Sequence, residues 1–577
     1  MGSARFVTLS ANSAHCAIRG GQTGVSSRAP GERASTVPDF GQVRRRCALL
    51  LPAVLLPVVL LLLGAAPGPG RPVVETDRGP VRGLAHGAYD TFEGIPFAAP
   101  PTGPLRWRPP EPASRWEGVR DAGAPGARCV QLPAVGPGGP TGSEDCLYLN
   151  VTAPAGRTAW GRPRPVMVWF HGGGFFSGAG DAYRPDRLAV RGDAVVVTVN
   201  YRLGVFGLFG HPELGGAPDF ALADQQAALR WVRANARTFG ADPHNVTVFG
   251  ESAGALSVCA HLASPASAGL FQRAIVQSGS CSTTTPARAL LPGLGRYEPF
   301  VPEPRTVADG VLAAARLGCD RPGGALECLR RLDTGTLATA ELMQRFSLVS
   351  YGNEVLPMEP RRALEAGRFH RVPVVQGATR DEVRLLLALT LAAYPIPDQA
   401  AYRARTERSF DAPTARAVEA AYPVSAFPTP AVAWATVLTD ASFICPTLRD
   451  GAALGRYVPV YTYRFSDRGA PDFTGQPVPP DLPFGASHGF ELPYLFTIAA
   501  LTGPQRGLAD RMADYWTAFA RTGVPQAPGA PAWPRDPSAT SALSLAPGAG
   551  GIRTVDARAE HHCALWDAWW PQVTRTR

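Results

Sequence analysis

The chain contains no lysine, so all 56 of its basic residues are arginines. A bias of this size is more typical of a GC-rich genome than of a structural requirement. Beyond residues 44–46 there is no arginine-rich run, and residues 71–577 carry 49 arginines against 45 acidic residues. Such nearly balanced, interspersed charge lacks the basic footprint of a nucleic-acid-binding protein. We therefore expect no nucleic-acid partner.

Metal-binding patterns are missing as well. The chain has no C-x-x-C pair and no His/Cys cluster with the spacing of a zinc site. The adjacent His561, His562 and Cys563 are interpreted as the neighbourhood of a disulfide rather than as metal ligands. We expect neither a metal nor an organic cofactor.

One apolar stretch lies near the start of the chain. Three arginines at 44–46 precede an uncharged, apolar run from Cys47 to about Ala66, which ends in small residues and has no lipobox. This pattern predicts a secretory signal peptide over residues 43–66. A membrane anchor is the alternative, because the run approaches the length of a membrane span, but Pro52 and Pro57 favour the signal.

The polar, aperiodic residues 1–42 precede that signal. They are interpreted as an extension that is either disordered or wrongly assigned, with the true start at Val43. We expect a secreted protein with no stable membrane partner, or a membrane-anchored one if the leader is not cleaved. Cysteine usage agrees with export, because eight cysteines remain after Cys16 and Cys47 are set aside, and an even number in an exported chain favours disulfides.

Residues 71–577 are predicted to form a single domain, because no linker or repeat interrupts them. Buried strands are predicted at 166–170, 194–199, 246–249, 372–377 and 458–465, with helices at 222–239 and 255–263 between them. The 222–239 helix is amphipathic and ends at Gly240. Alternating strands and helices predict an α/β fold with a mostly parallel sheet that is covered on both faces.

Two segments match G-x-S-x-G, the pattern of a nucleophile elbow: residues 250–254 and 485–489. An elbow needs a strand before it and a helix after it, with small residues around the serine. Only the first segment has that context. The second follows a proline-dense stretch that cannot form a central strand. Ser252 is therefore the candidate nucleophile, and Ser487 is predicted to lie in a loop.

A serine hydroxyl needs an imidazole base, and the imidazole needs a carboxylate partner. With the order serine, acid, histidine, the late candidates for the base are His488, His561 and His562. His488 is favoured because glycines flank it. For the acid, Asp381 and Glu382 both follow a predicted strand, and spacing does not choose between them.

Backbone N–H groups must stabilise the negative charge that develops on the substrate oxygen. The segment HGGGFF at 171–176 follows a predicted strand, and its glycines allow a close approach to substrate. The residue after the nucleophile, Ala253, is expected to supply a further donor.

Taken together, these segments resemble the type-B carboxylesterase and cholinesterase family of the α/β-hydrolase fold, with large insertions that form a gorge. The resemblance runs from about Val73 to Trp570. It is carried by FEGIPFAAPPTGPLRWRPPEP (92–112), SEDCLYLNV (143–151), VMVWFHGGGFFSG (166–178), VNYRLGVFGLF (199–209), DQQAALRWVRANARTFGADPHNVTVFGESAG (224–254) and HGFELPYLF (488–496).

The resemblance implies roles that spacing alone leaves open. GATRDE matches the family's Gly-x-x-x-Asp-Glu segment, so Glu382 rather than Asp381 would be the triad acid. Besides that acid, the resemblance makes Ser252 the nucleophile and His488 the base. It implies that the oxyanion hole is formed by Gly173, Gly174 and Ala253. The residues that it places beside the site are Glu251, Glu491 and Ser278.

The same comparison implies structural links. Expected salt bridges join Arg106 to Glu144 and Arg202 to Asp224. Three disulfides follow from the family pattern, and we expect the two cysteines without a cholinesterase counterpart to form the fourth. The four pairs are Cys129–Cys146, Cys319–Cys328, Cys445–Cys563 and, as the fourth, Cys259–Cys281.

One departure bears on the substrate. The loop between Cys129 and Cys146 is short and has no aromatic residue, whereas cholinesterases place there a tryptophan that binds the choline cation. The resemblance therefore implies a general serine carboxylesterase acting on small-molecule esters. Two rivals remain: a non-catalytic adhesion protein on the same fold, and another acyl hydrolase such as a lipase or an amidase. Oligomeric state and natural ester stay open.

Overall fold

The computed structural model describes residues 71–133, 138–156 and 161–575, with side chains to residue 570. Its largest element is a sheet of eleven strands. In spatial order these are β16 (Arg553–Val555), β15 (Ala542–Leu545), β14 (Val460–Phe465), β13 (Val374–Thr379), β10 (Arg273–Gln277), β9 (Ala241–Glu251), β7 (Arg164–Phe170), β8 (Val195–Val199), β6 (Tyr148–Pro154), β4 (Tyr89–Pro96) and β3 (Leu84–Ala85).

Seven of these strands, from β8 to β15, run parallel, and antiparallel strands flank them at both edges. Two small sheets lie apart. One contains β1 (Val73–Thr76), β2 (Gly79–Arg82) and β5 (Arg120–Asp121); the other pairs β11 (Phe300–Pro302) with β12 (Val349–Tyr351). The sheet is mostly parallel, as the alternating sequence pattern predicts.

Helices surround the sheet. They are α1 (Asp186–Gly192), α2 (Gly204–Leu208), α3 (Phe220–Asn235), α4 (Ala253–Ala263), α5 (Glu303–Arg316), α6 (Ala325–Arg331), α7 (Thr334–Leu337), α8 (Ala340–Arg345), α9 (Pro360–Glu365), α10 (Val383–Leu391), α11 (Gln399–Ser409), α12 (Ala412–Ala421), α13 (Pro430–Thr439), α14 (Cys445–Gly455), α15 (Leu492–Leu495), α16 (Gly503–Thr522), α17 (Ala557–Glu560) and α18 (Cys563–Arg575).

Alternation along β7 shows how both faces of the sheet are buried. Met167 and Trp169 belong to the cluster that contains side chains of α1 and α16. Val166, Val168 and Phe170 belong to a separate cluster with side chains of α3 and α4. Because successive side chains of a strand point to opposite faces, an unbroken apolar strand requires helices on both sides, and the fold provides them.

The strand order reverses beside β7. The chain continues from β7 to β8 on one side and then returns to β9 on the other. In sheets of this kind, ligands bind beyond the carboxyl ends of the strands at such a switch point. The loop after β7 and the turn after β9 are therefore brought together, with residue 170 opposite residue 250 in register.

Four disulfides link Cys129 to Cys146, Cys259 to Cys281, Cys319 to Cys328 and Cys445 to Cys563, as expected. The two expected salt bridges are present and buried. The predicted 222–239 helix begins earlier, at Phe220, and its last turn tightens to a 3₁₀ helix at Ala236–Phe239 before Gly240. The predicted leader and N-terminal extension lie outside the described residues.

Candidate active site

Ser252 occupies a strained turn between β9 and α4. Its φ of 56° and ψ of −121° lie outside the regions that a side chain ordinarily favours. The turn is possible because its neighbours lack a Cβ. A Cβ on Gly254 would lie 1.9 Å from the carbonyl oxygen of Phe170, and one on Gly250 would lie 2.5 Å from the backbone of Gly254. The strand–turn–helix context expected of an elbow is present.

We expect Gly254→Ala to lower the free energy of unfolding by about 3 kcal/mol, because its methyl group would meet backbone that cannot move aside. Urea denaturation would measure the change. The matched control is Gly507→Ala, at an exposed position of α16 where a Cβ meets nothing within 4 Å. The control should gain about 0.5–1 kcal/mol. Equal effects at both positions would contradict the close-approach argument.

His488 and Glu382 form a short polar contact beyond the carboxyl end of β13. Nδ1 of His488 lies 2.6 Å from Oε2 of Glu382. Glu382 has no exposed surface, and its Oε1 accepts the backbone N–H of Thr379 at 2.7 Å. The N–H of His488 also donates to the carbonyl of Glu382 at 3.2 Å. One carboxylate oxygen of Glu382 is thus bound by backbone and the other by Nδ1 of the imidazole. The remaining ring nitrogen, Nε2, faces the elbow.

The alternative acid points elsewhere. Asp381 forms salt bridges with Arg384 and Arg468 at 2.9 and 2.8 Å, and it accepts the backbone N–H of Ala486 at 3.1 Å. Ser487 lies in the loop before His488, where its hydroxyl donates to the carbonyl of Glu382 at 3.3 Å. The geometry brings Glu382, not Asp381, to the histidine.

The other histidines are engaged away from the elbow. Nδ1 of His561 lies 2.6 Å from Oδ1 of Asp440, and His562 packs edge-on against Tyr422. His370 lies 2.6 Å from the carbonyl oxygen of Ser264. His488 is therefore the one late histidine that the structure joins to the residues beside Ser252.

The glycine loop follows β7 directly. Gly173 and Gly174 have φ of 103° and 62°, values that favour glycine. Ala253 is the first residue of α4, so its N–H has no acceptor within the helix. Among the described residues, none of the three N–H groups donates a hydrogen bond. Three free donors, on the loop after β7 and the turn after β9, are what an oxyanion requires.

Two further carboxylates are buried here. Oε1 of Glu251 lies 3.2 Å from Nε2 of His488. Glu491 does not contact the imidazole; its Oε1 accepts from the hydroxyl of Ser278 at 3.4 Å and from the amide of Gln277 at 3.5 Å. Burial raises the pKa of Glu251 to about 7 and that of Glu491 to about 8, with the neighbouring carboxylates adding to the shift.

The pKa of His488 is raised as well, although burial acts on it in the opposite direction. Burial lowers its pKa, but the charges of Glu251 and Glu382 outweigh that effect and raise the pKa to about 10. A general base must be neutral, so a raised pKa moves the acidic limb of kcat/KM to higher pH.

We expect Glu251→Gln to move that acidic limb downward by about one pH unit, because the imidazolium loses a carboxylate at contact distance. The measurement is the pH dependence of kcat/KM on p-nitrophenyl acetate at fixed ionic strength. Glu491→Gln is the matched comparison and should give a smaller shift, since Glu491 makes no contact with His488. An unchanged limb in Glu251→Gln would refute the electrostatic coupling.

Two residues at the site were not anticipated from the sequence. Gln277, at the end of β10, links Glu491 to Nε1 of Trp516, which donates to it at 3.0 Å. Phe443, in a π-helical turn between α13 and α14, places its ring centroid 5.4 Å from that of His488. The position of Gln277 at the end of a strand in the middle of the sheet was a usable signal; Phe443 had none.

The chain is similar to proteins of a known family. The model of the carboxylesterase family matches residues 70–566. The para-nitrobenzyl esterase of Bacillus subtilis is 35% identical over 477 residues, covering 78% of this chain and 90% of its own. The fumonisin B1 esterase of Sphingopyxis macrogoltabida is 35% identical, covering 80% and 84%. A solved PNB esterase structure covers 86% of this chain and 99% of its own, with a TM-score of 0.68 and 31% identity.

The fold and these similarities define an α/β-hydrolase. More narrowly, the chain belongs to the carboxylesterase family. It is a serine hydrolase of carboxylic esters, and it acts on small-molecule ester substrates.

Proposed function

We propose that Ser252, His488 and Glu382 carry out the hydrolysis through an acyl-enzyme. The contact between His488 Nδ1 and Glu382 Oε2, at 2.6 Å, is the observation that carries the proposal. His488 takes the proton of Ser252 as the hydroxyl oxygen attacks the ester carbonyl. The imidazolium then protonates the leaving alcohol. Water, activated by the neutral His488, releases the acid and restores the serine.

The N–H groups of Gly173, Gly174 and Ala253 stabilise the negative oxygen of both tetrahedral intermediates. Glu251 stabilises the imidazolium, because its carboxylate lies 3.2 Å from Nε2. Glu491 acts less directly. Its bonds to Ser278 and Gln277 hold a second buried carboxylate in the same region.

The substrates we propose are esters of small organic acids, with aryl or benzyl esters among them. A bacterial relative is named para-nitrobenzyl esterase, and a rabbit relative, 35% identical, is named cocaine esterase. Phe443 gives the site an aromatic wall beside His488. The aromatic-free loop between Cys129 and Cys146 offers no cation–π partner, so choline esters should be poor substrates.

Export is part of the proposal. The four disulfides favour an extracellular protein. We assign residues 43–66 to a cleaved signal peptide and residues 71–577 to one catalytic domain. Recovery of full-length chain in washed membranes, with none in the medium, would instead indicate an uncleaved anchor.

Pre-steady-state kinetics would test the covalent mechanism. With p-nitrophenyl acetate, butyrate and palmitate, we expect turnover of the short esters and a burst of one p-nitrophenol per enzyme where deacylation is slow. Mass spectrometry after treatment with a fluorophosphonate should find the adduct on the peptide that contains Ser252. An adduct on Ser487, or folded protein inert on all three esters, would refute the proposed function.

A further inference from the structure

A cleft of about 370 Å³ opens beyond the carboxyl ends of β13 and β14. None of the proposed catalytic residues lines it. Its polar wall contains four arginines: Arg380, directly after β13; Arg384, in α10; Arg464, in β14; and Arg468, just after β14. The cleft lies at the carboxyl edge of the sheet, the edge at which this fold class binds ligands, but away from the switch point beside β7.

Three of the arginines have acidic partners. Arg384 and Arg468 share the carboxylate of Asp381. Arg464 donates to Glu560 at 2.6 Å and to Nε2 of His561 at 2.9 Å.

The third carboxylate in the wall, Asp440, is already engaged by His561 Nδ1 at 2.6 Å and by the hydroxyl of Tyr422 at 2.8 Å. Four guanidinium groups against three carboxylates leave one positive charge in excess.

Arg380 carries that excess. Among the described residues, its half-buried guanidinium has no hydrogen-bond or salt-bridge partner. Burial lowers the pKa of Arg380, and the charges of Arg468 and Arg464 lower it further, against the smaller opposing effects of Asp381 and Glu560. Nε of the buried Arg384 also lacks a partner among the described residues. Partly desolvated guanidinium groups that repel one another form a site for an anion, because an oxyanion supplies the missing acceptors.

The rest of the wall is partly apolar, with Thr436 and His562 as its further polar residues. Phe427, Pro428, Val432 and Pro483 line it. A bare inorganic ion would leave this surface without contact, and the volume exceeds what such an ion fills. The ligand chemistry is therefore a charged head group on a small apolar body.

We propose that this cleft is a second ligand site, which binds a small amphiphilic oxyanion with its carboxylate or phosphate group at Arg380. The apolar body lies against Phe427 and Val432. The ligand does not enter the ester-binding site, and its binding does not depend on Ser252. Two sources could supply the same chemistry: a carboxylic acid, such as an ester hydrolase releases, or a phosphate monoester.

Calorimetric titration of the intact enzyme at low ionic strength would test the site. We expect saturable binding of benzoate and of phenyl phosphate and none of benzyl alcohol, which has the same body without the charge. Arg380→Gln should weaken binding at least tenfold, since the charge-assisted hydrogen bond to the head group is lost. Arg416→Gln, at an exposed position of α12, removes the same net charge and should change affinity less than twofold.

Crystals soaked in 4-iodobenzoate would locate the ligand by anomalous scattering. Iodine in the cleft beside Arg380 supports the proposal, and iodine only beside Ser252 overturns it. Absence of saturable binding at millimolar ligand, equal loss in Arg380→Gln and Arg416→Gln, or binding of benzyl alcohol as tight as that of benzoate would also overturn it. If benzoate binds more tightly than phenyl phosphate, the preferred head group is a carboxylate. If phenyl phosphate binds more tightly, it is a phosphate.

Discussion

Ser252→Ala is expected to lower kcat on p-nitrophenyl acetate roughly 10⁴- to 10⁶-fold while the protein remains folded. The substitution removes the only atom that forms the acyl bond, and losses of this order follow when a triad serine is deleted elsewhere. Activity should not fall to the rate in water alone, because the oxyanion donors still polarise the carbonyl and residual catalysis of about 10³- to 10⁴-fold over water is typical. Alanine is smaller than serine and adds no clash at the turn.

The chain provides its own control for this experiment. Ser487 has the same G-x-S-x-G surroundings, but its hydroxyl accepts the N–H of Leu385 at 2.8 Å and donates to the carbonyl of Glu382. Ser487→Ala should therefore reduce kcat by less than about tenfold, through a small change in loop position. If Ser487→Ala abolished the burst while Ser252→Ala kept it, the nucleophile assignment would be wrong.

Glu382→Gln is expected to lower kcat roughly 10⁴-fold, the size of effect found when a triad carboxylate becomes an amide. The structure gives the reason. Oε1 accepts the N–H of Thr379 at 2.7 Å, so the glutamine oxygen must stay there. The amide nitrogen then faces Nδ1 of His488. As a donor it holds the tautomer whose Nε2 carries the proton, and that nitrogen cannot accept the proton of Ser252.

Asp381→Asn is the matched control, one residue away and with the same change of charge. It weakens the salt bridges to Arg384 and Arg468, so we expect a lower unfolding midpoint in urea. Because Asp381 does not contact the imidazole, kcat should stay within about tenfold of wild type. The reverse pattern, with Asp381→Asn inactive and Glu382→Gln active, would overturn the choice of acid.

The nucleophile turn could be predicted because its requirements are local. A strand-forming apolar segment must precede Ser252, a helix must follow it, and the flanking positions must lack a Cβ. All three conditions are visible in consecutive residues. The structure adds what the sequence could not reveal, namely the carbonyl of Phe170 on the neighbouring strand that excludes a side chain at Gly254.

The acid was harder to choose for a physical reason. Asp381 and Glu382 are adjacent carboxylates at the start of the same helix, and both suit that position equally. The orientation of each side chain depends on a partner that is distant in sequence. Asp381 forms a salt bridge with Arg468, and Glu382 contacts His488. The local sequence around residues 381 and 382 does not show which distant residues contact each carboxylate. Family resemblance indicated Glu382, and the geometry brings that residue to His488.

The partners of Gln277, the position of Phe443 and the arginine cleft escaped prediction for the same reason. Each depends on segments far apart in the chain, as when Trp516 reaches Gln277 or Arg464 reaches Glu560. Periodicity reports which face of an element is buried, but not which element covers it. The fold class therefore followed from the sequence, while the polar contacts between elements did not.

The segment between β10 and β13 has an evolutionary consequence. Its two strands, β11 and β12, pair with each other and not with the main sheet. Insertions, deletions or exchanges there would leave the register of the strands that carry Ser252 and Glu382 untouched. Changes of sequence and length can therefore accumulate in this segment across the family while the reactive centre is inherited unchanged.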